Sequence, residues 1–166
     1  LKKLRLKKGD RVAAYVPNKI ENIICFLACA KNGIIWSSCS PDFGAQGVVD
    51  RFKQIEPKVL ITSDYYFYNG KKINILDKVD DVTKQIPSIK KVIVFNYNKK
   101  EKENLKNFID FEETLNVKSD ESFERFEFNH PIYILFSSGT TGKPKCITHG
   151  TGNVLIEHNK EFMLHC

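Results

Sequence analysis

The densest chemistry in the sequence is the run Ser137-Ser138-Gly139-Thr140-Thr141-Gly142-Lys143-Pro144-Lys145. An apolar stretch, Ile132–Phe136, leads straight into it. Its two glycines let the backbone double back with N–H groups turned into one concavity. Four hydroxyls can join those amides as donors to phosphate oxygens, and Lys143 and Lys145 add positive charge. The combination suits a flexible triphosphate tail. The spacing is not that of a Walker loop, which has four residues between its glycines and a hydroxyl residue after its lysine. Here only Thr140 and Thr141 separate the glycines, and Pro144 follows Lys143. Pro144 also opposes a helix immediately afterwards, so phosphate held on a helix N-terminus is disfavoured. A plain Gly/Ser/Thr turn between strands is the competing reading.

Other reactive side chains read as structural. Cys25 and Cys29 lie in an apolar helical run and behave as small hydrophobes on a buried face. The four histidines have no metal-ligand spacing. His149, just past the loop, has no carboxylate nearby in sequence and reads as a polar contact, as does His158. Trp36 and Tyr15 fall on expected buried strands and read as core.

The elements that must position the loop follow from periodicity and punctuation. Arg11–Val16 is an apolar run ended by Pro17-Asn18 and predicts a buried strand. Asn18 opens a helix in which Ile20, Ile23, Ile24, Leu27, Ala28 and Ala30 recur at helical spacing, and Gly33 stops it. Ile34–Ser38 predicts a second strand and Pro41–Gly44 a loop. Gly47–Ile55 predicts a helix with Val48, Val49, Phe52 and Ile55 on one side, and Lys58–Thr62 a third strand. Asn69-Gly70 is a turn signal, Asp77–Gln85 a polar helix and Lys91–Phe95 a further strand. Residues 98–130 read as an irregular charged connection with one weak helical stretch near Phe108–Leu115. Short alternation of strand and helix predicts an α/β fold, a mostly parallel sheet flanked by helices. The expected pieces are 1–97, the connection 98–130, and 131–166 with strand, loop and helix.

Composition bounds the function classes. Of 166 residues, 42% are hydrophobic and 28% charged, and 12 Phe and 6 Tyr supply core material, which excludes a disordered chain. The longest apolar run, Ile23–Ala30, is too short for a membrane span. The net charge of +6 raises a nucleic-acid partner, but the basic clusters at Lys2–Lys8 and Lys99–Lys106 lack aromatic interleaving and read as solvated surface. Five cysteines, an odd number, and no signal peptide point to reduced thiols and a cytoplasmic location. The chain begins at Leu1 and stops at Cys166 within an apparent helix, so it reads as an internal piece of a longer protein.

The run Phe136–Lys145, FSSGTTGKPK, resembles the signature of the adenylate-forming enzymes, the group of acyl-CoA synthetases, peptide-synthetase adenylation domains and luciferases. Its flanks are similar to the acyl-CoA synthetases that activate acetoacetate. These are Trp36–Gly44, Asp50-Arg51-Phe52, Gln54–Lys58, Lys145–Gly150 and the helix from Leu155. The resemblance spans nearly the whole chain and is weakest over 98–128.

The resemblance implies a piece of the family's large N-terminal three-layer domain. It also implies an acid–thiol ligase using ATP, Mg²⁺ and CoA: the acid is adenylated with loss of pyrophosphate, then passed to the CoA thiol. The family's triphosphate contacts carry over to Ser137, Ser138, Gly139, Thr140, Thr141, Gly142 and Lys143, with Lys145 as a closing cation. Where acetyl-CoA synthetases have an Arg-Ala-Gly-Arg run near the nucleotide end of CoA, this chain has Tyr68, Asn69, Gly70 and Lys71, with Lys72 next. The arginines are thus missing or replaced by lysine, and an exposed hairpin turn is the competing reading there. The family's later adenine and Mg²⁺ segment, ribose-binding Asp and adenylation Lys have no counterpart in these residues, so the isolated piece is expected to be inactive. Acetate or propionate as the acid, a nucleotide-binding module without catalysis, and a basic nucleic-acid binder are the alternative functions.

Overall fold

Residues 4–98, 108–116, 122–138 and 142–166 are described by a computed structural model. Their core is organised by the alternation of side chains along four parallel strands: β1 (Arg11–Tyr15), β2 (Ile35–Cys39), β3 (Val59–Ser63) and β6 (Lys91–Phe95). On one face Ala13, Tyr15, Leu60, Val92 and Val94 meet helices α2 (Ala45–Ile55) and α3 (Leu76–Gln85). On the other, Val12, Ala14, Val59, Ile61, Ile93 and Phe95 meet α1 (Ile20–Lys31) and the short α4 (Phe111–Leu115). Strands buried on both faces need apolar residues at every position, which explains the unbroken runs in the sequence. The layers are helix, sheet, helix, as expected.

The sheet has seven strands in the order β7-β6-β3-β1-β2-β8-β9, where β7 is Ile109–Asp110, β8 Pro131–Ser137 and β9 Lys145–Gly150. All neighbours run parallel except β8 and β9. A separate antiparallel hairpin, β4 (Tyr65–Tyr68) and β5 (Lys71–Asn74), hangs from the end of β3. Helix α5 (Thr151–Leu164) closes the described chain; it ends before Cys166, with His165 N–H donating to Glu161 O at 2.9 Å.

Two expectations change. Helix α1 begins at Ile20 with Lys19, not Asn18, at its cap, and the sheet takes its Glu21, Cys25 and Cys29 face. Ile20, Ile23, Ile24 and Leu27 are 71%, 50%, 42% and 58% exposed. The helix is apolar nearly all round, and a sheet covers only one side of it. The second change is β9, a strand with no pattern in the sequence; its side chains from Lys145 to Thr148 are exposed, so burial imposes no alternation on it. The weak helix near Phe108–Leu115 is α4, preceded by β7 on the sheet edge; the Asp110 carboxylate caps α4 by accepting from Glu112 N–H at 3.0 Å.

Asp64, fully buried, ties the β4–β5 hairpin to the sheet. Its Oδ1 accepts from the N–H groups of Tyr65 and Tyr97, each at 2.8 Å, and its carbonyl accepts from Ile75 N–H at 3.1 Å. Among the described residues no helix is long and apolar enough to cross a membrane.

Candidate functional site

Strand β8 enters the sheet beside β2, with Tyr133 opposite Trp36, and Ser37 Oγ donates to Ile134 O at 2.8 Å. Beyond Tyr133 its recorded partner is β9 alone, and the ladder runs out to Ser137 opposite Lys145. Ser138 and residues 142–144 are therefore on the connection between two antiparallel strands. Pairing brings Ser137 and Lys145 together, while Ser138, Gly142 and Lys143 follow on the exposed connection. Gly139, Thr140 and Thr141 lie outside the described residues. Lys143 and Lys145 are exposed and make no ion pair among the described residues. Two uncompensated cations beside hydroxyls make an anion-attracting surface. A strand, not a helix, follows the loop, as Pro144 predicts.

One contact at this hairpin has no local signal in the sequence. In the last turn of α2, Gln54 Nε2 donates to Asp50 O at 2.7 Å and to Pro144 O at 2.9 Å. Its Oε1 accepts from the Cys146 thiol at 3.6 Å. Burial pushes the Cys146 thiol up, so the protonated, donating form persists at neutral pH. These partners stand 90 and 92 residues away, out of reach of any spacing argument.

A cleft of about 360 Å³ opens at the carboxyl ends of β1 and β2, the usual ligand position in an open α/β sheet. Asn18, Asn22, Ser40, Asp42, Tyr66 and Tyr68 are on its walls. Tyr15, expected as core, is fully buried, and its hydroxyl also donates to the carbonyls of Pro41 and Phe43. Burial, with the neighbouring Tyr66, Cys39 and Asp42 adding to it, pushes the Tyr15 phenol up to about 12, so it stays a donor. Tyr66 is likewise pushed up, by burial and then by the neighbouring Asp42 carboxylate. The cleft wall 40–44 is thus held from beneath.

The β4–β5 hairpin flanks this cleft. Asn69 and Gly70 carry φ of 47° and 73°, the left-handed pair that a tight two-residue turn needs. Tyr68 opposes Lys71 across the turn and is on the cleft wall; Asn69, Gly70 and Lys71 are not among the residues lining it. Lys71 is exposed, whereas Lys72 Nζ sits 3.8 Å from the centre of the Tyr65 ring.

The remaining candidates are structural. The His149 ring lies 4.9 Å from Tyr133. His158 is exposed on α5. Trp36 is buried against Phe26. Burial pushes the Cys25 and Cys39 thiols up to about 12, and Cys29 up further. Among the described residues no group of three or more His, Cys, Asp and Glu converges to hold a metal.

Known proteins share this arrangement. Acetoacetyl-CoA synthetase of Macaca fascicularis is 44% identical over 174 residues, which covers 99% of this chain and 26% of that protein. Acetoacetyl-coenzyme A synthetase of Rhizobium meliloti (strain 1021) is 47% identical over 162 residues, covering 95% and 25%. The solved acetoacetyl-CoA synthetase from Streptomyces lividans matches with a TM-score of 0.93 at 40% identity, covering 100% of this chain and 25% of that one. The chain therefore spans about a quarter of the length of these relatives. The family model described as AMP-binding enzyme matches residues 1–163, and with the sheet and hairpin in place the chain belongs to that family.

Proposed function

We propose that the protein carrying this chain is an ATP-dependent acid–thiol ligase that forms acetoacetyl-CoA from acetoacetate, ATP and CoA. The observation that carries this reading is similarity to acetoacetyl-CoA synthetases along the whole chain, phosphate loop included. In the first step a carboxylate oxygen attacks the α-phosphorus and pyrophosphate leaves with the bonding pair. In the second the CoA sulfur attacks the acyl carbon and AMP leaves.

The first step needs the outgoing diphosphate held and its growing charge met. Ser137, Ser138, Gly139, Thr140, Thr141 and Gly142 supply hydroxyls and amides to the phosphates, and Lys143 and Lys145 supply charge. That both lysines are exposed and make no ion pair among the described residues favours this role. Mg²⁺, when bound, would share the triphosphate charge; the described residues offer it no ligand cluster. Tyr68, Asn69, Gly70 and Lys71 take the nucleotide end of CoA, a reading supported by the cleft that Tyr68 borders. Lys71 meets a phosphate there as a point charge. Five free cysteines fit a reducing, cytoplasmic setting.

The test is ATP–pyrophosphate exchange by the complete polypeptide with acetoacetate, acetate and propionate offered separately. The highest kcat/KM is expected with acetoacetate. A clear preference for acetate or propionate rejects the assigned acid, and no exchange with any acid rejects the ligase.

A further inference from the structure

Lys145 is the first residue of the strand that leaves the phosphate loop, and among the described residues β9 is the last strand of the sheet. An exposed edge strand holds the direction of its first side chain weakly, because ladder ends fray. Gln54 grips the residue on either side of Lys145. Its carboxamide has two N–H donors and one carbonyl acceptor. The donors meet Asp50 O at 2.7 Å and Pro144 O at 2.9 Å, and the acceptor takes the Cys146 thiol at 3.6 Å. Among the described residues, no other side chain from outside the hairpin hydrogen-bonds to residues 142–146.

The bond to Asp50 lies within α2, so the helix sets the direction of the carboxamide before the loop meets it. Successive side chains of a strand point to opposite faces. With Cys146 held against α2, Lys145 is directed off the other face of the hairpin. We propose that Gln54 is a positioning residue for adenylation: it anchors the exit of the phosphate loop to α2 and thereby presents Lys145 to the phosphates. This rests on the phosphate role of the loop proposed above.

The experiment uses the complete polypeptide and follows two half-reactions: ATP–pyrophosphate exchange with acetoacetate, and thioester formation from supplied acyl-adenylate. Gln54→Ala removes all three contacts. Gln54→Glu keeps the shape and the acceptor but removes both donors. Each is expected to lower kcat/KM for ATP in exchange by about two- to tenfold, the range for one or two hydrogen bonds, and to leave thioester formation unchanged. Cys146→Ala should give a smaller loss in the same direction. Alkylation of Cys146 by iodoacetamide should quicken in Gln54→Ala, since the thiol loses its partner. Lys145→Ala separates the two levels of the argument. If Lys145→Ala slows exchange while both Gln54 variants match the wild type, the role of Gln54 is overturned and the phosphate reading stands. If Lys145→Ala itself matches the wild type, the phosphate reading fails. Equal losses in both half-reactions for Gln54→Ala overturn positioning in favour of a general structural part.

Discussion

Replacing Lys145 by alanine removes one ammonium from the exit of the phosphate loop and leaves the backbone pairing of Ser137 with Lys145 in place. A unit charge about 4 Å from a phosphate oxygen is worth about 1 kcal/mol in bulk water and about 4 kcal/mol at an effective dielectric constant of 20. A hydrogen bond to a charged group contributes about 1.5–3 kcal/mol. Lys145 is exposed, so water and salt screen it and the low end applies. About 1.5 kcal/mol corresponds to roughly a tenfold loss in kcat/KM. The loss belongs to adenylation, where negative charge builds on the leaving pyrophosphate. Thioester formation, in which AMP leaves and no pyrophosphate is released, should change little. The assay compares pyrophosphate exchange with thioester formation from supplied acyl-adenylate, at low and high salt. Screening predicts a smaller defect at high salt. Equal losses in the two half-reactions, or a defect that salt leaves untouched, would refute the electrostatic reasoning.

Other perturbations probe the supporting structure. Tyr15→Phe removes the hydroxyl under Pro41 and Phe43; a loss of about 1–2 kcal/mol in urea unfolding is expected, with a raised KM for CoA, and unchanged values for both sink the role given to Tyr15. Gly70→Val puts a β-branched residue at φ 73° and should cost about 1–2 kcal/mol, read as faster proteolysis at the hairpin tip; equal cleavage rates argue against the turn. Asp10 is raised by burial, and its bonds from Lys58 Nζ and Lys7 N–H, each at 2.8 Å, together with Arg11, more than reverse this, so its carboxyl sits below the ordinary 3.8. A depressed carboxylate stabilises the fold fully above 3.8 and loses that contribution as pH falls through its lower folded value. The stability gap between wild type and Asp10→Asn should therefore shrink below that pH in urea titrations, and a constant gap contradicts the assignment.

How much of this was legible in the sequence depended on where each element's constraints come from. Strands β1, β3 and β6 are buried on both faces, so burial writes an unbroken apolar run, and Pro17 and Pro57 mark its limits. Helix α2 was legible down to its face, since Val48, Val49, Phe52 and Ile55 all point into one core. Helix α1 was legible as a helix with Cys25 and Cys29 on its buried face, but two apolar stripes share it, and the exposure of the larger isoleucines was not legible. β9 was silent because exposed strands carry little pattern. The Ser137–Lys145 loop stood out as a candidate site through residue types that act locally. The cleft did not, because Asn22, Asp42 and Tyr68 come from separate segments that only the fold assembles.

Asp64 has a mechanical corollary for traffic at the cleft. Both roots of the β4–β5 ribbon are fastened to one immobile carboxylate-bearing residue, through Tyr65 at the start and Ile75 at the finish. A ribbon tied at both roots must break a buried hydrogen bond before it can swing aside as one body. Tyr68, at the tip of that tethered ribbon, stands on the rim of the cleft, so the tether also fixes where one wall of the opening begins.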